Sequence, residues 1–258
     1  MVKMRVLALG FSILWITGCN PIEVPAPYKS NLPRLDGDLN DWETTPVVLR
    51  EHSITVSAQH NDEYVLMLLQ SFSPQHLILA LGSGFTVWFD GEGGNKRQFG
   101  LRFPGRTGLG DIPAQRNGPP DPLQLRTAFQ EHLQTTSSIE LVNDKGIVIQ
   151  RFPRDIADGA LLAPGMVDDR LICEIRIPLS GIPGFPLPLD RGEKLGVGLN
   201  LEPPNRGENR EQMKGMGGPG GMGKRNGMGG HGKGVPPGGQ KRPQLEKVEI
   251  WMTVLIGN

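Results

Sequence analysis

The residues of this chain that could carry chemistry are two cysteines, five histidines and several clusters of carboxylates. Their spacing argues against a reactive centre. His52, His60, His76, His132 and His231 form no His-x-His pattern, and no Cys-x-x-Cys accompanies them, so the local signature of a zinc site is missing. Asp36, Asp38 and Asp41, or Asp90, Glu92 and Asn95, group oxygen atoms that suit a hard cation, but such groups more often form solvated turns. No G-x-S-x-G elbow marks a nucleophilic serine. The glycines from Gly215 to Gly223 are not followed by the Gly-Lys-Ser/Thr ending of a phosphate loop. Carboxylates are numerous, yet no local signature selects a glycosidase pair. The expectation is a chain that is not an enzyme, with no metal site and no cofactor.

Cys19 is different, because its context assigns it a chemical role. A basic start (Lys3, Arg5) precedes an apolar run of 11 residues from Val6 to Ile16, and Thr17-Gly18-Cys19 follows. A charged start, an apolar middle and small residues before a cut describe a secretory signal peptide. The run falls short of the roughly 20 residues that a membrane-spanning helix needs. Its ending resembles the bacterial lipobox, with Ile16 where that pattern most often has Leu. The resemblance implies cleavage after residue 18, fatty acylation of the Cys19 thiol, and a membrane as partner through that lipid. Asn20 is not the Asp that retains many such proteins at an inner membrane. That favours the outer membrane or its periplasmic face. Cys173 is then unpaired. It alternates with Leu171, Ile175 and Ile177, the setting of a small core residue.

Charge and composition narrow the class further. The full chain has 27 basic and 27 acidic residues, and removal of Lys3 and Arg5 leaves 25 against 27. Nothing here drives general binding to nucleic acid. With 36 glycines and 23 prolines, the chain must be rich in turns and irregular stretches. Residues 19–31, with Pro21, Pro25 and Pro27, read as the lipidated cysteine and an extended tether.

From residue 32 onward, alternating apolar residues predict about nine short strands, at 54–60, 64–69, 85–90, 99–103, 138–142, 147–150, 171–177, 195–199 and 248–256. Asn61-Asp62 and Asn143–Gly146 supply two hairpin turns. One short helix is expected after Asp121, a capping residue followed by Pro122, with Leu125, Phe129 and Leu133 on one face. The fold class is all-β, an antiparallel, jelly-roll-like sandwich. Residues 203–244 are set apart as an insertion. No acid occurs from Gln212 to Leu245, where Lys214, Lys224, Arg225, Lys233, Lys241 and Arg242 lie among glycines and Met213, Met216, Met222 and Met228. Such a segment reads as a disordered loop. Its thioethers suit Cu(I) and its charge suits anionic headgroups, but the Met spacing has no tight repeat.

Four stretches carry a family resemblance. Leu35-Asp-Gly37-Asp-Leu-Asn-Asp-Trp42 resembles the "DG…W" opening of carbohydrate-binding module family 9-like domains, within the wider DOMON-like sandwich group. Val56–Val65, around His60-Asn61-Asp62-Glu63-Tyr64, and Val87-Trp88-Phe89-Asp90 resemble the strands that follow. Glu174-Ile-Arg-Ile177-Pro178-Leu179 resembles the "E-x-x-I-P-L" strand end. The resemblance implies a β-sandwich over residues 32–258 that often binds sugars and in some branches haem. For haem, His60 and Met67 fall on adjacent strands of one hairpin rather than on facing strands. Sugar modules stack aromatic rings on the apolar face of a pyranose. The candidates here are Trp88 and Trp251, with Tyr64 behind them, while Trp42 is expected to pack the first loop against the sandwich. Trp88 and Trp251 both alternate away from the core, as half-exposed platforms or as cover for a long loop.

These readings converge on a membrane-anchored cell-envelope lipoprotein with a non-catalytic ligand-binding sandwich. A glycan is its first expected partner. The alternative is a structural or assembly lipoprotein that engages another envelope protein through the basic Gly/Met-rich loop.

Overall fold

Alternation of apolar and polar residues sets most of the strands, and side chains pointing to one side of each strand make the core. The computed structural model describes residues 22–106, 121–154, 161–182, 187, 189, 193–203 and 245–257. The signal segment 1–18, Cys19 and the expected insertion apart from Pro203 lie outside the described residues.

Two sheets face each other. Sheet A has the order β1 (Ile22–Ala26), β12 (Val248–Ile256), β11 (Lys194–Leu201), β5 (Gly84–Asp90), β6 (Phe99–Pro104), β7 (Ser138–Asn143), β8 (Val148–Pro153). Sheet B has the order β2 (Val47–Leu49), β3 (Ile54–His60), β4 (Tyr64–Ser71), β10 (Arg170–Pro178), β9 (Leu162–Val167). Every pairing is antiparallel except β1 on β12. Between the sheets lie Val56, Met67, Val87, Phe89, Leu101, Ile175, Val197 and Val254, all at 1% exposure or less. Each such side chain contributes roughly 1.5–3 kcal/mol by leaving water.

The all-β sandwich is as the alternation predicts, with twelve strands among the described residues rather than nine. The three extra strands are short or carry residues that weaken a strand signal. β2 has three residues, β9 contains Pro164 and Gly165, and β1 contains Pro25. All three are edge strands, where a missing N–H can face away from the ladder.

β1 corrects the expected tether. Residues 22–26 are not a spacer. They pair with Met252–Ile256 and bury Val24 and Ala26 in the core. His60, itself fully buried, fastens the end of β1. Its Nδ1 donates to the Ala26 carbonyl at 2.8 Å, its N–H donates to the Pro27 carbonyl, and its own carbonyl accepts from Lys29 N–H.

The helix expected at 122 is α2 (Pro122–Thr135). The Asp121 carboxylate accepts from Leu123 N–H at 3.0 Å, and Leu125 and Phe129 are buried. The expectation of a single helix is corrected by α1 (Pro74–Ser83). α1 buries His76, Leu77, Leu79, Ala80, Leu81 and Gly82, so it has no broad polar face and its period is hidden. The two helices pack on each other, α1 against β5 and β11, α2 against β9.

Candidate functional site

Strand alternation sends Thr86, Trp88 and Asp90 of β5 to the outer face of sheet A, away from Phe85, Val87 and Phe89. Strand order then decides what stands beside them. Trp88 pairs with Gly100 on one side and Gly198 on the other, and Gly198 pairs with Trp251. One row across four strands therefore reads Gly100, Trp88, Gly198, Trp251. The glycines are required. A Cβ on Gly100 would stand 2.9 Å from the Trp88 ring, and one on Gly198 would stand 2.8 Å from the Trp251 ring. Each indole lies over a glycine, and the two tryptophans are two strands apart, about 10 Å at the usual strand spacing.

The next row on the same face is polar. It reads Arg151, Glu140, Arg102, Thr86, Asn200, Glu249 across six strands. Glu140 accepts from both Arg102 and Arg151. Asn200 donates to Glu202 at 3.1 Å. Glu249 accepts from Arg97 at 2.8 Å and from Lys247 at 2.7 Å. Lys247 first, then Arg97, hold its carboxyl down to about 2.

Two polar atoms on this face have no partner among the described residues. The Trp88 indole N–H is buried and unbonded, and so is the Asn200 amide oxygen. Trp88 is 4% exposed and Asn200 7%. Buried polar groups are nearly always paired, so an unmatched donor and an unmatched acceptor on one aromatic face mark it as a candidate site; Thr44, Gln59, His60 and Ser83 carry the other unmatched buried atoms among the described residues.

No family model matches the chain, and no curated protein matches it. A carbohydrate-binding module of family 9 from Caldicellulosiruptor kristjanssonii, solved in complex with glucose, is similar in structure at 13% sequence identity. The match covers 71% of this chain and 80% of that chain, with a TM-score of 0.34. It is a distant resemblance of fold.

The aromatic residues singled out in the sequence divide between two faces. Trp88 and the half-buried Trp251 share one row of sheet A. Tyr64 is on the outer face of sheet B, beside Leu35, Leu66 and Trp42, with the Arg176 guanidinium 5.6 Å over its ring. It is not brought to the tryptophans. Trp42 does pack the first loop against the sandwich, and its Nε1 donates to Glu174 at 3.1 Å. Cys173 lies in the core, where burial pushes its thiol pKa well up. Cys19 is outside the described residues.

The acidic clusters are used internally. Asp36 and Asp38 accept backbone N–H groups from Asp38 and Asn40, and Asp41 accepts from Arg34. Asp90 is fully buried and accepts from Glu92 N–H, Lys96 N–H and Gln98 Nε2. Among the described residues no three His, Cys, Asp or Glu side chains converge as a metal set.

Ser71 Oγ and His76 Nδ1 lie 2.7 Å apart, the contact a nucleophile and its base would make. Ser71 also accepts from Ser73 N–H, so the pair closes the turn from β4 into α1. The adjoining cavity is about 20 Å³, room for one water, and is walled by Ile54, Leu69, Phe85 and Leu171. Burial, followed by the charge of His52, lowers the His76 pKa. That geometry fits a structural bond rather than a substrate site.

Arg97, Asn200 and Glu249 were not legible as site residues in the sequence. One signal was present: Gly196, Gly198 and Asn200 alternate on one side of β11. A strand that is bare on one face asks what lies on it.

Proposed function

We propose that this chain is a cell-envelope lipoprotein whose non-catalytic sandwich binds a glycan on the outer face of sheet A. The observation that carries this reading is the row Gly100, Trp88, Gly198, Trp251, set beside an unpartnered indole N–H and an unpartnered amide oxygen. A sugar is amphipathic in the matching way. Its C–H face stacks on indole rings, and its hydroxyls both accept and donate. Few polar groups on a largely apolar surface are what fix the orientation of a small ligand.

Anchoring enters through Cys19. Only Asn20 and Pro21 separate it from β1, and three residues extend at most about 11 Å. An acylated Cys19 therefore holds the sandwich close to the bilayer, at the outer membrane or its periplasmic face. Acylation is tested by mass spectrometry of the mature chain, and Cys19→Ser should move the protein from the membrane fraction to the soluble one.

Binding is tested by retention of the intact domain on insoluble polysaccharides and by titration with soluble oligosaccharides, with Trp251→Ala as control. No retention on any polymer sinks the glycan reading. The alternative, an assembly role for the basic segment, is favoured by six cations without an acid between Gln212 and Leu245. Deleting residues 213–241 separates the two, because glycan binding survives that deletion and capture of an envelope protein does not.

A further inference from the structure

We infer that Arg97 is a built-in cap on the Trp88 ring, clasped by Glu249, and that a ligand of this face must displace it. The inference rests on the outer face of sheet A being the binding face.

The cap is delivered by a turn that is pinned down. Between β5 and β6 the chain folds back over the outer face at Gly91–Asn95. Buried Asp90 accepts from Glu92 N–H at 3.0 Å and from Lys96 N–H at 2.8 Å. The Gly94 carbonyl presses on Gly196 so closely that a Cβ there would meet it at 2.1 Å. Thr253 of β12 donates to the Gly93 carbonyl at 3.2 Å. The turn is thus tied to β5, β11 and β12, and Arg97, next after Lys96, is aimed across the sheet.

The Arg97 guanidinium lies 5.0 Å from the Trp88 ring centroid, and its Nη2 donates to Glu249 at 2.8 Å. A guanidinium is planar and stacks on an aromatic face as a flat ligand would. It takes the place a sugar ring needs, and Trp88 is left 4% exposed. The clasp is also releasable. The Arg97 and Glu249 side chains are 34% and 35% exposed. Ion pairs that solvent can reach are weak and are screened by salt. Lys247 stays with Glu249 when Arg97 leaves, so opening the cap does not strand a carboxylate.

The test uses indole N–H signals in NMR, which report each tryptophan separately. In Arg97→Ala, the Trp88 indole N–H should exchange with water about tenfold faster than in the wild type, while that of Trp42 is unchanged. Glu249→Gln should give a smaller change of the same sign, and Arg97→Lys should resemble Arg97→Ala because it keeps the charge and loses the plane. Added salt should speed Trp88 exchange in the wild type and not in Arg97→Ala. Unchanged Trp88 protection in both Arg97→Ala and Glu249→Gln overturns the cap. Glucose and soluble glucan oligomers are then titrated against wild type and Arg97→Ala. Tighter binding by the variant supports cap and binding face together. Faster exchange with no sugar bound by either form keeps the cap and sinks the glycan reading. Equal sugar affinity with unchanged exchange sinks the cap and keeps the glycan reading.

Discussion

The two outer faces of this sandwich are built from similar parts and finished differently. On sheet B the segment from Leu32 to Trp42 lies across the strands and buries Leu35, Leu66 and Ala163. Gly37, at φ +83°, turns its N–H onto Glu174 at 2.8 Å, and Trp42 Nε1 donates to the other carboxylate oxygen. The donors of this segment are matched, Trp42 Nε1 included, while Gln59 Nε2 in the neighbouring row of the same face has no partner among the described residues. On sheet A the indoles lie on glycines, and an indole N–H and an amide oxygen go unmatched. A tryptophan facing away from the core can therefore be a stopper or a platform, and hydrogen-bond accounting separates the two better than burial does. Trp88 is more buried than Trp42, yet it is Trp88 whose polar atom lacks a partner.

The sharpest way to break this comparison is at Glu174. Glu174→Ala removes the shared acceptor and leaves the part-buried Gly37 N–H and Trp42 indole N–H without partners. It should cost about 3 kcal/mol of stability, seen as a lower urea midpoint, because each stranded group carries its full desolvation cost. A loss below about 1 kcal/mol would mean that the sheet B face is not held by this carboxylate.

The second effect should fall on binding. Trp251→Ala should weaken retention on a polysaccharide at least about tenfold, near 1.4 kcal/mol, with little change in the urea midpoint. Tyr64→Ala should leave retention unchanged, since Tyr64 lies on the other face. Equal losses from both substitutions would place the ligand elsewhere.

How much of this was legible depends on which interactions are local. The cap of α2 could be read because Asp121 and Leu123 are neighbours in sequence. The β3–β4 hairpin could be read because Asn61 accepts from Glu63 N–H and Tyr64 N–H within its own turn. Alternation correctly gave the parity of Trp88, Trp251 and Cys173. It could not give the row, because β12, β11 and β5 become neighbours only through the sheet order. Aromatic residue type alone grouped Tyr64 with the tryptophans, and it says nothing about which sheet a strand joins. β1 was hidden by Pro25, and α1 by apolar residues on several sides. The Glu174 contact joins residues more than 130 positions apart, so the two motif ends that resemble one family gave no sign that they touch.

A conservative substitution sharpens the comparison further. Trp42→Phe and Trp88→Phe each remove an indole N–H and keep an aromatic ring. At position 42 the N–H serves a buried carboxylate, so its loss should cost about 1.5 kcal/mol. At position 88 the N–H has no protein partner, so removing it relieves an unmet desolvation cost that offsets the smaller ring. The net change should lie within about 0.5 kcal/mol of zero. Equal destabilisation at both positions would show that ring volume, not hydrogen bonding, sets the two faces apart.

The smallest effect concerns pH, where the two faces should pull in opposite directions. Burial pushes the Glu174 carboxyl above its ordinary 4.5, outweighing the hydrogen bonds from Trp42 and Gly37 that draw it down. A carboxyl raised in the folded state adds stability below its unfolded value and loses it as pH rises through the folded value. Glu249 is the reverse. Held at about 2 by Lys247 and Arg97, it adds stability above 4.5 that is lost as pH falls toward 2. Its pair is partly open to solvent, so this contribution is screened and small. Urea midpoints measured from pH 2 to pH 7 in three proteins resolve the two. Relative to wild type, Glu174→Gln should lose a component that falls with rising pH, and Glu249→Gln one that falls with falling pH. Adding salt should shrink the Glu249 component and leave that of Glu174, because solvent ions reach the rim of sheet A and not the carboxylate under the Leu32–Trp42 segment. If both components shrink alike, the sheet B face is open to solvent ions too, and the distinction between a sealed face and a capped one fails.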